Sequence, residues 1–131
     1  MSDAPDAVPE DRLLEIAGTR VLLCAPEGPP IAGERDATDL VGLTFGRDIG
    51  VIAIPAARLD AAFYRLASGL LGAVAQKFVN YRLRLAVIGD VSAYEAKSAP
   101  FRDFVREANR GRHVWFVPDE AALARKLEAA A

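Results

Sequence analysis

The chain has 131 residues, 52% hydrophobic and 26% charged, a size that builds one core but hardly two. With 16 basic and 18 acidic residues the net charge is −2, which excludes a global field drawing in nucleic acid or an anionic membrane surface. The lone Cys24 and lone His113 exclude an intrachain disulfide framework, a cysteine-based zinc site and a multi-histidine metal centre, and point to a reducing cytoplasm.

The opening "MSDAPDAVPE" is acidic and proline-bearing where a signal peptide would be basic and then apolar, and no apolar run approaches membrane-spanning length. Residues 1–11 are therefore expected as a flexible tail, and 12–128 as a single domain. "LLEIAG" and "TRVLLCA" are short apolar runs separated by a glycine-threonine turn, which predicts an N-terminal β-hairpin. The proline- and glycine-rich "PEGPPIAGERD" follows as an exposed loop of variable shape. Asp36 or Thr38 then caps a helix with an inner face of Leu40, Val41 and Leu43 or Thr44, ending near Gly46. "GVIAIP", Gly50 to Pro55, is continuously apolar and β-branched. Such a run predicts a strand buried on both faces.

"AARLDAAFYRLASG" is a longer connection with a short helical look. From Leu70 onward, Leu71, Val74, Ala75, Phe78 and Tyr81 fall on one helical face, with Gln76, Lys77 and Asn80 toward water. "RLRLAVIG" is the next buried strand, and "VSAYEAKSA" after Asp90 reads as a loop. Pro100 suits a first helical turn, Phe101, Phe104, Val105 and Ala108 form the apolar stripe, and Gly111 stops the helix. "HVWFVP" is the last strand. Asp119 caps the final helix, with Glu120 in its first turn and Arg125 and Lys126 in its last. The order β-β-α-β-α-β-α-β-α predicts an α/β fold, a mixed and mostly parallel five-stranded sheet with helices packed on it.

The run "LASGLLGAVAQKFVNYRLRLAVIGD", continued by "FRDFVREANRGRHVWFVPDEAAL", resembles a bacterial domain-of-unknown-function family, number forty-one eighty. The likeness covers roughly Leu13 to Leu127 and is most specific at Phe78–Asp90, "FRDF" and "NRG". That resemblance implies no activity. The order of elements is also similar to the STAS fold of anti-sigma-factor antagonists, in which a loop Asp-Ser-Ser-Gly carries a phosphorylated serine. On this chain the motif's glycine falls on Gly69 and its second serine on Ser68, but the first serine meets Ala67 and the aspartate meets Leu66. The resemblance thus implies a regulatory protein-binding module, with Ser68, Gly69 and Gly72 as the partner-binding surface. Ser68 is either a phosphoacceptor there or the N-cap of the next helix.

Three acids follow the parallel strands: Asp60 after Pro55, Asp90 after Gly89, and Asp119 with Glu120 after Pro118. At one sheet edge they would form a ligand loop, able to hold Mg²⁺ beside a phosphate in a small-molecule or phosphate-binding enzyme. Equally, each acid can cap a helix or close a turn. Lys77, Arg82, Arg84, Arg110 and Arg112 collect at the opposite edge, where clustered positive charge could meet an acidic protein or a phosphate backbone, but they are better explained as dipole-matched helix ends and solvated strand ends. Ser92 and Ser98 sit at the edge away from His113, which speaks against a Ser-His-Asp triad, and Cys24 reads as a buried small hydrophobe. Trp115 and Phe116 alternate across the last strand as packing residues. The expectation is a cytoplasmic, non-enzymatic protein-binding module. It has no catalytic residue, metal or cofactor, binds a protein partner rather than membrane or nucleic acid, and has room for a homodimer.

Overall fold

Ala17 and Gly18 take successive positive φ angles of 52° and 82°, the left-handed twist that joins two strands through a two-residue turn. Around them β1 (Arg12–Ile16) and β2 (Thr19–Leu23) pair antiparallel, with Leu14 opposite Val21. The computed structural model describes residues 11–130. Three further strands, β3 (Val51–Pro55), β4 (Arg84–Ile88) and β5 (Val114–Val117), add in parallel, giving one sheet in the order β1-β2-β3-β4-β5.

The register aligns Ile52 with Leu85 and Val87 with Phe116, so side chains alternate between two apolar faces. Leu22, Ile52, Ile54, Leu85, Val87 and Phe116 enter one core, whereas Val21, Val51, Ala53, Ala86, Trp115 and Val117 enter the other. That double burial is why the strands are continuously apolar in sequence. Each fully buried Leu, Ile or Phe contributes roughly 1.5–3 kcal/mol.

Each successive crossover from β2 to β5 steps to the next strand in the same direction. Right-handed crossovers of that kind all fall on one face. Helices α1 (Glu34–Gly42), α2 (Leu70–Asn80) and α4 (Ala99–Arg110) accordingly cover the first core with Ala37, Leu40, Val41, Leu71, Val74, Phe78, Phe101 and Val105. The element after β5 takes the other face. The chain turns under the sheet as α5 (Glu120–Ala130) and places Leu123 and Leu127 on the second core. The Arg12–Glu120 ion pair, 3.1 Å, ties β1 to the start of α5.

The tail expected over 1–11 lies outside the described residues except for Asp11, whose Oδ1 accepts the Ala25 N–H at 2.7 Å. Other expectations need correction. The proline-rich loop is exposed over residues 26–30 but buries Ile31, and Arg58 donates to the carbonyls of Ala25 (2.7 Å) and Pro29 (3.1 Å). Gly33, not Asp36 or Thr38, is the N-cap of α1. Asp36 sits one turn inside and its Oδ2 reaches back to the N–H of Gly33 and Ala32. Helix α1 stops at Gly42 and not near Gly46, and of the two alternatives for its inner face Thr44 is buried while Leu43 is 44% exposed.

Tyr81, expected on the inner face of α2, is 53% exposed, because the helix ends at Asn80 and Arg82 takes a positive φ of 59°. The loop expected after Asp90 contains a short helix, α3 (Ser92–Lys97). Arg125 and Lys126 lie short of the last turn, since α5 runs on to Ala130.

Candidate functional site

Between β3 and α2 the chain makes three short 3₁₀ turns, Ala56–Arg58, Ala61–Tyr64 and Leu66–Ser68. They are pinned from inside by Phe63 and Tyr64. The Tyr64 hydroxyl donates to the Ala56 carbonyl at 2.6 Å, and its ring stacks on Tyr94 of α3, 3.9 Å between centroids. Burial, and then the neighbouring Tyr94, push the Tyr64 phenol's pKa upward, so it acts as a hydrogen-bond donor.

Ser68 ends the last of these turns, and Gly69 follows with a φ of 78° as the N-cap of α2. The Ser68 hydroxyl donates to the Ala62 carbonyl at 2.6 Å and accepts the Leu70 N–H at 3.2 Å, so it closes the turn and engages the first N–H of α2, although Gly69 and not Ser68 is the N-cap. Ser68, Gly69 and Gly72 are all exposed, and a Cβ added at either glycine meets nothing within 4 Å. From there Gln76 and Asn80 continue the outer side of α2, joined by a 2.9 Å amide hydrogen bond. At the far end Tyr81 lies against Phe45, ring centroids 5.9 Å apart. A hollow of about 600 Å³ opens beside them between α2 and Glu34.

Each of the three acids has an oxygen engaged by backbone. Asp60 accepts the Ala62 N–H at 2.9 Å, Asp90 the Ser92 N–H at 2.9 Å and Asp119 the Ala122 N–H at 2.8 Å. The side-chain and backbone hydrogen bonds from Ser92 hold the Asp90 carboxyl below its ordinary pKa. A cleft of about 560 Å³ does lie at the carboxyl ends of the strands. Arg12, Cys24, Pro55, Ile88 and Glu120 line it, whereas Asp60, Asp90 and Asp119 do not. Among the described residues no group of three His, Cys, Asp or Glu side chains comes together as a metal set. Burial first, and then Asp11, push the Cys24 thiol up to about 12, against a smaller opposing effect of Arg58.

The basic residues divide at the amino-terminal edge of the sheet. Lys77 and Arg110 close the last turns of α2 and α4, where positive charge meets the helix dipole. Arg82, Arg84 and Arg112 instead line a pocket of about 460 Å³ with His113. Arg84 lies over the Trp115 ring, 4.2 Å from its centroid, and its Nε donates to the Arg112 carbonyl. Lys126 stands 4.8 Å from the same ring. Burial, and then the like charge of Arg112, lower the Arg84 pKa. Sequence reasoning placed these arginines together at this edge but explained them as helix and strand ends. Their convergence follows from parallel register, which brings the entries of β4 and β5 side by side.

Among the described residues no helix is long and apolar enough to cross a membrane. No match was found among curated proteins or solved structures. A family model, described as a domain of unknown function (DUF4180), matches residues 16–127, from the end of β1 to the buried Leu127 of α5. The match takes in β2 to β5 and the helices on both faces of the sheet, and the chain therefore belongs to the DUF4180 family.

Proposed function

We propose that this domain is a non-enzymatic regulatory module of the cytoplasm that binds another protein, in the manner of STAS anti-sigma-factor antagonists. The contact surface is the outer side of α2, from Ser68, Gly69 and Gly72 at its start to Tyr81 beyond its end. One observation carries the reading: Phe45 and Tyr81 are 62% and 53% exposed, face one another, and have the half-exposed Leu43 nearby in sequence. Paired aromatics left in water beside a helix are typical of a protein-binding surface. The open space around Gly69 and Gly72 supports it further, because a partner's backbone can approach closely there. The engagement of Asp60, Asp90 and Asp119 by backbone N–H groups favours this reading over an enzyme working at the acidic edge.

A phosphoryl group on Ser68 would sit at the start of α2 and add negative charge to the contact surface. The test is affinity capture from the native host with wild type, Ser68→Asp, Ser68→Ala and Tyr81→Ser, each first checked for melting. The expected result is a partner held by wild type and Ser68→Ala and lost from Ser68→Asp and Tyr81→Ser. A partner indifferent to all three changes would overturn the surface. A Mg²⁺-dependent rise in melting temperature that disappears in Asp90→Ala would replace the module by the acidic-edge enzyme. Sedimentation of the pure chain reads whether the partner is a second copy.

A further inference from the structure

The pocket at the amino-terminal edge of the sheet is unrelated to the outer side of α2 and stands on different residues. Arg82, Arg84 and Arg112 reach it from the end of the α2–β4 turn, the start of β4 and the entry to β5, with His113 beside them. Among the described residues none of these arginines lies in an ion pair. Arginines gathered around one concavity repel each other unless an anion joins them.

Arg84 is also held in place before any ligand arrives. Its side chain packs on Trp115, itself fixed by its indole N–H donating to the Gly111 carbonyl at 2.9 Å, and its Nε is committed to the Arg112 carbonyl. The terminal nitrogens of a guanidinium held in this way are preorganised for forked hydrogen bonding to an oxyanion. The rest of the wall is Thr19, Gly50 and the apolar Val51, Val79 and Leu83. A volume near 460 Å³ is that of a small-molecule site.

We propose that this pocket binds a small organic phosphate ester, with the phosphate held by Arg82, Arg84 and Arg112 and the organic part against Val79 and Leu83. Three guanidiniums match a dianionic phosphate better than a single carboxylate. The chain's net charge of −2 disfavours a long polyanion, whose other phosphates would meet the acidic remainder of the surface.

The test is titration calorimetry at low ionic strength with AMP, inorganic phosphate, acetate and a single-stranded oligonucleotide as probes. Variants Arg82→Gln and Arg112→Gln alter exposed side chains and are checked for unchanged melting; Asp90→Asn is the control at the opposite edge. The expected result is saturable binding of AMP, weaker binding of inorganic phosphate, and a loss of about tenfold or more in AMP affinity in each arginine variant but not in Asp90→Asn. Absence of saturable AMP binding, or binding equal in all variants, would overturn the proposal. So would acetate binding as well as phosphate, or an oligonucleotide binding more tightly than AMP, which would make the edge a carboxylate or polyanion surface instead. Failure here leaves partner capture through Ser68 and Tyr81 unaffected, so the two readings fail separately.

Discussion

The carboxamide of Asn109 pairs with the backbone of Phe116 as a neighbouring strand would. Its Oδ1 accepts the Phe116 N–H at 2.8 Å and its Nδ2 donates to the Phe116 carbonyl at 3.2 Å. Phe116 lies on β5, the sheet's outer parallel strand, whose free edge would otherwise offer these groups to another chain. Lys126 of α5 donates to the Asn109 carbonyl at 2.9 Å, so one residue joins α4, β5 and α5. Replacing Asn109 by Leu removes both bonds from partly buried groups and is expected to cost about 2 kcal/mol in urea unfolding. Asn109→Asp, which keeps the acceptor and loses the donor, should fall between Leu and wild type. Equal stability of all three would show that the edge is satisfied by water.

Val87 is fully buried in the middle of β4, between Ile54 on β3 and Phe116 on β5. An aspartate there has no cation to pair with. Val87→Asp should cost several kcal/mol, on the order of the whole stability of such a domain, and leave the chain unfolded by circular dichroism at room temperature. An unchanged melting temperature would contradict the buried central strand.

Gly89 ends β4 with a φ of 140°, and an added Cβ would stand 3.0 Å from the Ala56 Cβ. Backbone strain and crowding act together here. Gly89→Ala is expected to lose about 1–3 kcal/mol in chemical denaturation. A paired Ala56→Gly change should recover the crowding part and leave the strain, which a double-mutant comparison separates.

Cys24 makes stability depend on alkaline pH. Its thiol is raised from an ordinary value of 9.0 to about 12 in the folded protein, chiefly by burial. Between those values the folded chain keeps a proton that the unfolded chain has released. The contribution is therefore fully present below pH 9 and is lost as pH rises toward 12. By pH 10 the loss is on the order of 1 kcal/mol. Urea unfolding of wild type and Cys24→Ala at pH 8 and pH 10 isolates it, with the stability gap between them narrowing at the higher pH. A constant gap would show that the thiol ionises normally.

The apolar runs, the hairpin turn and the helical stripes were enough to determine by themselves five strands, their parallel pairing after the hairpin, and the helices that follow them. Those features are local: a strand buried on both faces must be apolar throughout, and a packed helix must repeat its apolar residues near every turn. Asp119 as a helix cap, Asp90 as a turn-former and Cys24 as a buried thiol were legible for the same reason. Helix α3 was not, because its six residues "SAYEAK" are too few to show a period and are held by Tyr94 stacking on the distant Tyr64. Tyr81 fell on the expected apolar stripe, yet only the backbone turn at Arg82 decided that it faces water. The division of helices between the two sheet faces depended on the direction of successive crossovers, and the register joined Arg82, Arg84 and Arg112, already expected at one edge, with His113 in one pocket. Both are relations between segments far apart in the chain, which the local pattern of either segment does not encode.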